Sequence, residues 1–427
     1  MTQPEPQRLP LTTQRAVSTF GIGVVGFMSA NLVPFMILAI QDSLGVGATE
    51  AGTLMTACLL ATAIACLLVT RFTEGRGRYL VARLGLAVTA AGFGLAALDL
   101  APAASIVGII AGGVGAGGAV ASGGAALAAL RNPNRASGIS GLANRAIVTV
   151  VLAVIPAVGI GMGSAFGFVA GLALVLLFTA GWLPMAEAPE GHEGTPGASP
   201  APSTTAAVAT GGAVTTGTIT TRTITVAGFA LLAIFALWAV GEDSLWAMSG
   251  AIGVAQAGMT EEQLGLVLSA STAGGLLAAI ALIFLGTRLG RALPLGILLV
   301  LGSALKLTAC LTDDPTIFLV TMIAWNTVYA VAFMFFIATA AALDASGRWS
   351  GPVLGVYLVG SSFAPMFGAR IGEAFGFPAL GWVLAGFSLV LLVPAVLIAR
   401  LSSRVEAEHA ATTPNSSDIA TIRTAGV

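Results

Sequence analysis

The sequence predicts an all-α membrane protein with 12 transmembrane helices in two pseudo-symmetric six-helix halves. Three observations carry this. First, hydrophobic residues make up 56% of the 427 residues and charged residues only 9%, against roughly 25% charge in a soluble protein. No water-soluble fold can hide so much apolar surface, so the bilayer must be the solvent. Second, the chain repeats at a constant offset of 213 residues: Gly52 pairs with Gly265, Gly77-Arg78 with Gly290-Arg291, Pro102 with Pro315, Arg135 with Arg348, Gly138 with Gly351 and Gly163 with Gly376. The matches fall mostly at the punctuation between apolar segments. Third, the connecting loops alternate in the sign of their charge.

Apolar segments lie at roughly 16–40, 50–70, 79–99, 103–130, 137–160, 164–184, 224–253, 262–286, 292–311, 316–343, 350–372 and 376–400. We call them spans 1 to 12. Each can cross about 30 Å of hydrocarbon as helix, and helix is the open-chain structure that satisfies its own backbone there. The first run is too long for the roughly 7–15-residue core of a signal peptide, so it is read as a span. Residues 1–15 are then an N-terminal tail, 16–184 the first half, 185–222 a Gly/Pro/Ser/Thr-rich linker, 223–400 the second half and 401–427 a second tail.

The loops test the count. With the N-terminus inside, cytoplasmic segments hold 15 of the 18 basic residues, from Arg8 and Arg15 through Arg71, Arg76, Arg131, Arg222, Arg288 and Arg348 to Arg423. The opposite loops carry acids such as Asp42, Glu50, Asp99, Glu261, Asp313 and Glu373. This is the positive-inside pattern. It places both termini in the cytoplasm; the protein is expected in the plasma membrane. A miscounted span would reverse every later loop.

Composition also excludes. A net charge of -1 offers nucleic acid no basic field. Cys58, Cys66 and Cys310 form neither a CxxC pair nor an even set, so a disulfide framework or metal site is not expected. His192 and His409 fall in the linker and the tail, which leaves the membrane without a histidine. With no Ser/His/Asp set, no enzyme activity, cofactor or metal is expected. A GxGxxG run from Gly113 to Gly118 lies inside an apolar span without a preceding strand, so it is read as helix packing rather than a dinucleotide site.

Several charges break the loop pattern. Arg145 lies near the centre of span 5, where an arginine costs about 2.5–3.5 kcal/mol on insertion scales. That points to an aqueous cavity or a partner acid. Lys306 lies nearer the outer end of span 9, where its chain can snorkel to the headgroups. Arg370 and Glu373 stand one helical turn apart, so a local pair is the expectation. Glu242-Asp243 interrupts span 7. The 213 offset maps these acids onto Ser29 and Ala30 in the middle of span 1, so they are expected deep in the membrane, at a helix break after Gly241. Acids at such depth are candidate proton carriers.

The loop between spans 2 and 3 reads Glu74-Gly75-Arg76-Gly77-Arg78, and its counterpart between spans 8 and 9 reads Arg288-Leu289-Gly290-Arg291. With six plus six spans, a central linker and two similar halves, this resembles the major facilitator superfamily over roughly residues 15–404. The resemblance implies that Glu74, Gly77, Arg78, Gly290 and Arg291 form a gating latch, the acid and arginine pairing with helix ends. It also implies that spans 1, 4, 7 and 10 line a central cavity. On that basis Asn31, Trp238, Trp325, Asn326 and Tyr329 are expected at the substrate, joined by Arg145 of span 5 on the strength of its buried charge, and Glu242 and Asp243 at the coupling proton. Trp238, Glu242 and Trp246 recur every fourth residue, on one helix face. Two marks of proton-coupled exporters are degenerate: Ile109 stands at the arginine position of span 4, and span 5 keeps Pro156 and Gly159 of the Gly/Pro pattern.

These readings imply a proton-coupled secondary transporter working by alternating access on a small organic solute with an anionic group. The alternative is a multidrug/proton antiporter that exports lipophilic compounds. Expected partners are the small-molecule substrate, a proton and the lipid bilayer, with no nucleic acid, and the protein is expected to be a monomer.

Overall fold

The computed structural model describes residues 9–73, 75–185, 219–285, 290–343, 348–349 and 352–412. Among these residues the regular structure is helical, apart from an isolated bridge between Leu9 and Leu130. Most of the linker, the second tail beyond residue 412 and Glu74 lie outside the described residues.

Among the described residues, helix is found at each of the twelve expected spans. Eight are single helices: Ala48–Val69, Gly77–Ala97, Pro102–Ala128, Pro133–Ala157, Thr221–Ala255, Glu261–Leu285, Ala292–Leu311 and Pro315–Leu343, for spans 2 to 5 and 7 to 10. Span 1 is Thr13–Asn31 and Val33–Leu44, bent by 55°. Pro34 explains the bend, since its ring has no N–H to donate and clashes with the carbonyl one turn back. Span 6 is built from Met162–Ala165 and Gly167–Leu177. Spans 11 and 12 form one hydrogen-bonded run, Val353–Thr412, broken at Gly376 with φ 83 and ψ 165. Side chains other than glycine's rarely adopt that backbone. The break expected after Gly241 is absent. Thr221–Ala255 runs unbroken for 35 residues, about 52 Å at 1.5 Å rise, so Glu242 and Asp243 sit well inside a continuous helix.

The apolar core divides in an informative way. At the end of the bundle with the acidic loops, one cluster joins both halves, from Phe35, Met55 and Leu152 of the first to Leu245, Leu264 and Trp325 of the second. At the Arg-rich end each half has its own core. Ile22, Leu86 and Leu176 belong to one; Leu231, Phe336 and Leu391 belong to the other. The halves are thus fused at the acidic end and separate at the Arg-rich end.

The repeat survives in three dimensions at that fused end. Span 2 packs on span 11, and span 8 on span 5, as equivalent seams. A Cβ on Gly52 would lie 2.6 Å from the Pro365 carbonyl oxygen, and one on Gly265 would lie 3.1 Å from the Leu152 carbonyl oxygen and 2.6 Å from Pro156 Cγ. Leu152 and Pro365 are themselves one repeat apart. Only glycine allows so close an approach. A carboxylate closes each seam. Glu373 accepts from the Thr49 N–H at 2.6 Å, at the positive N-terminus of span 2. Glu261 accepts from the Ile160 N–H at 2.9 Å. The local Arg370–Glu373 pair expected from sequence is therefore not formed: Glu373 crosses to the other half. The ion pairs among the described residues are Arg291–Glu406 and Lys306–Glu242.

Candidate functional site

A cavity of about 720 Å³ runs from the middle of the bundle toward the Arg-rich end. Both halves line it. Asn31 comes from span 1, Gly123 and Leu127 from span 4, and Asn144 and Arg145 from span 5. Across it stand Asp243 and Trp246 from span 7, Trp325, Asn326 and Tyr329 from span 10, and Tyr357 from span 11. The glycine seams close its acidic end.

Arg145 reaches across the cavity. Its Nη1 donates to Asn326 Oδ1 at 2.9 Å, linking span 5 of one half to span 10 of the other. The guanidinium lies against span 8 at Gly275, where a Cβ would come within 2.4 Å of Nη1. Any larger residue would displace it. Arg145 has no carboxylate partner among the described residues. Beside it, Asn144 Oδ1 is buried without a hydrogen-bond donor among the described residues.

The two acids of span 7 have separate environments. Asp243 lines the cavity and accepts from Tyr357 Oη at 2.9 Å; the Tyr357 and Tyr329 hydroxyls are themselves hydrogen-bonded. Glu242 does not reach the cavity. It is buried and pairs with Lys306 through Oε1, while Oε2 accepts from Trp325 Nε1 at 2.7 Å. Lys306 also donates to Ser388 Oγ at 2.6 Å. The snorkelling expected for Lys306 is thus overturned, as its side chain is fully buried. It turns inward because an acid and a hydroxyl await it, and a buried charge is tolerated when paired and hydrogen-bonded. The map onto Ser29 and Ala30 fits this division, with Ala30 and Asp243 lining the cavity while Ser29 and Glu242 stay off its wall.

Five rings form a column that starts in the cavity and ends in the second half's core. Trp246 and Trp325 have centroids 6.4 Å apart and planes 21° apart. Trp325 and Tyr329 follow at 5.8 Å, Tyr329 and Trp238 at 5.3 Å, and Trp238 and Phe235 at 5.7 Å. Placing Trp238 at the substrate needs correction. It is buried behind Tyr329 and does not line the cavity. The helix face shared by Trp238, Glu242 and Trp246 packs against span 10, so only the Trp246 end reaches open space. Asn31 does line the cavity. Its side-chain amide donates to Phe27 O at 3.0 Å, and its main-chain carbonyl, at the apex of the span 1 bend, accepts from Trp246 Nε1 at 3.2 Å.

The Gly-Arg loops tie helix ends together, but within each half. Arg78, at the start of span 3, is buried and donates to the carbonyls of Thr73, at 3.3 Å, and Pro184, beyond span 6. Gly77 opens that helix. Gly290 has φ 65, and Arg291 pairs with Glu406 at 2.6 Å, after span 12.

Tyr357, Asn144 and the buried role of Lys306 escaped the sequence reading. Signals existed. Tyr357 is one of three tyrosines, in an otherwise apolar span, and Lys306 is the chain's single lysine. Asn144, next to Arg145 in the chain, lines the cavity beside it.

No protein-family model and no curated protein matches the sequence. Solved structures do match. The human organic anion transporter MFSD10 superposes with a TM-score of 0.63 at 15% identity, covering 92% of this chain and 100% of its own. A peptide transporter, POT, gives 0.67 at 12% identity over 93% and 97% of the two chains. The nucleoside transporter NupG gives 0.62 at 12% identity over 90% and 99%. Helix at each of the twelve expected spans, two fused halves and these superpositions over nearly the whole chain establish that the protein has the major facilitator superfamily fold.

Proposed function

We propose that this chain is a secondary active transporter that works by alternating access, moving a small organic anion coupled to a proton. The observation that carries the reading is the central cavity. It is sealed at the acidic end, reaches the Arg-rich end, and holds an arginine without an acidic partner and a carboxyl tied to a tyrosine. Arg145 takes the anionic group, because a guanidinium whose side-chain partner is a neutral amide gains a charge-assisted bond from an anion. Asp243 carries the proton; Glu242, the other expected carrier, is held by Lys306. Asn31, Asn326, Tyr329 and the Trp325–Trp246 wall shape the pocket. Rocking of the halves opens the glycine seams, as in two-repeat carriers generally, and the Gly-Arg loops keep each half rigid while it moves. The organic anion, peptide and nucleoside transporters that share the fold support a carrier rather than an enzyme. The arginine distribution supports cytoplasmic termini.

Solute-driven proton flux in proteoliposomes tests this. A small carboxylate should draw protons in its own direction. Arg145→Ala should abolish its uptake while the protein still purifies as a folded species. Asp243→Asn should keep solute exchange and lose proton movement. Unchanged uptake by the Arg145 variant would sink the anion reading, and proton movement against a lipophilic cation would favour the antiporter.

A further inference from the structure

Arg145 reaches across the cavity to the span that carries part of the ring column, and together they specify more than a negative charge. Span 10 supplies both ends of the arrangement in adjacent residues. Asn326 holds the Arg145 guanidinium at 2.9 Å, and Trp325 is the second ring of the column. Trp325 is fixed from behind by Glu242, which accepts its indole N–H at 2.7 Å. Trp246 is fixed from the side by the Asn31 carbonyl at 3.2 Å. Both indoles are therefore held in plane by hydrogen bonds at their edges, which leaves stacking as the use of their faces.

The faces of Trp325 are taken by Trp246 and Tyr329. Trp246 is different. It stacks on Trp325 alone among the described rings, is half-buried, and lines the cavity. The column thus ends at an oriented indole in the chamber that holds the arginine. A flat ring can extend it by one layer, and offset stacking is worth about 0.5–1.5 kcal/mol beyond area burial.

We infer that the preferred cargo is an aromatic carboxylate, its ring continuing the column at Trp246 and its carboxylate on Arg145. This rests on the anion reading above and narrows it from any small organic anion to one with a planar ring. A saturated ring of the same size and charge fills the same volume but cannot stack.

The test is competition against radiolabelled benzoate bound to the full-length protein in nanodiscs. The competitors are unlabelled benzoate, cyclohexanecarboxylate, acetate and uncharged benzyl alcohol. Benzoate should compete about tenfold more tightly than cyclohexanecarboxylate, a factor within reach of the stacking energy, and benzyl alcohol should compete weakly. Trp246→Leu should bring benzoate down to cyclohexanecarboxylate, and Trp246→Phe should restore most of the preference. Equal competition by the two ring carboxylates in the unaltered protein would overturn the aromatic inference and leave the anion reading standing. Benzyl alcohol matching benzoate, with Arg145→Ala binding normally, would overturn the anion reading itself.

Discussion

Span 4 and span 10 occupy equivalent places in the two halves, and each opens with one of the prolines, Pro102 and Pro315, that the repeat pairs. Their contents are opposite. Span 4 has eight glycines and no aromatic residue; span 10 has six aromatic residues and no glycine. Span 4 packs by backbone contact. A Cβ on Gly113 would meet the Cys58 carbonyl at 2.4 Å, and one on Gly115 the Thr89 nitrogen at 2.3 Å, so spans 2 and 3 close on it from two sides. Thr62 Oγ1 adds a hydrogen bond to Gly113 O at 2.9 Å. Span 10 packs through rings and places one indole N–H on a buried acid. The shared fold thus asks only for span length and punctuation. Span 4 becomes a tight block of backbone contacts, and the cavity-lining polar groups of the first half, such as Asn31 and Arg145, come from spans 1 and 5 instead. The second half holds the ring column and, behind it, the Glu242–Lys306 pair.

The largest break in this contrast should come from the buried pair. Lys306→Met leaves Glu242 charged and without its cation, and breaking a buried pair this way costs about 3–5 kcal/mol. Adding Glu242→Gln should recover most of that loss, because Trp325 keeps an acceptor and no lone charge remains. Thermal unfolding in detergent checks both. A double variant no better than the single one would show that Lys306 acts through something other than Glu242.

A smaller effect separates two tryptophans of the same column. Trp325→Phe removes a hydrogen bond to a charged acceptor, worth about 1.5–3 kcal/mol. Trp238 Nε1 is buried with no acceptor among the described residues. Both variants lose buried ring volume, but Trp238→Phe deletes an unpaired donor, so it should cost about 1.5–3 kcal/mol less than Trp325→Phe. Equal losses in the two unfolding midpoints would mean that ring size, not the indole N–H, decides the packing.

How much of this was readable in advance differs along the same lines. The seams were legible in outline. The Gly52–Gly265 identity, seen only as a repeat marker, turned out to sit at two equivalent close contacts. Backbone contacts need a particular residue type, and residue type is what a sequence records. Depth was legible too: Arg145, Glu242 and Asp243 lie well inside their spans. Direction was not. Hydropathy puts Lys306 near the end of span 9 but cannot say which way it faces, because that depends on Glu242, 64 residues earlier. The same blindness placed Trp238 at the cavity and Glu373 beside Arg370. Periodicity assigns a common face without saying which neighbour that face meets.

On the glycine side of the comparison, Gly113→Ala should cost about 1–2 kcal/mol, since the added methyl meets a carbonyl that belongs to another helix backbone. Glycine content alone would predict the opposite sign, because alanine is favoured over glycine inside a helix by roughly 0.5–1 kcal/mol. Gly124, on the same helix, separates the two effects. A Cβ there would meet nothing within 4 Å, as the residue lines the cavity. Gly124→Ala should therefore leave stability unchanged or raise it slightly, by up to about 1 kcal/mol. Measured side by side, opposite signs at Gly113 and Gly124 would place the tightness of the first half in its contacts with spans 2 and 3. Matching signs would mean that span 4 tolerates side chains along its length, and that its glycines do not set how closely the helices approach.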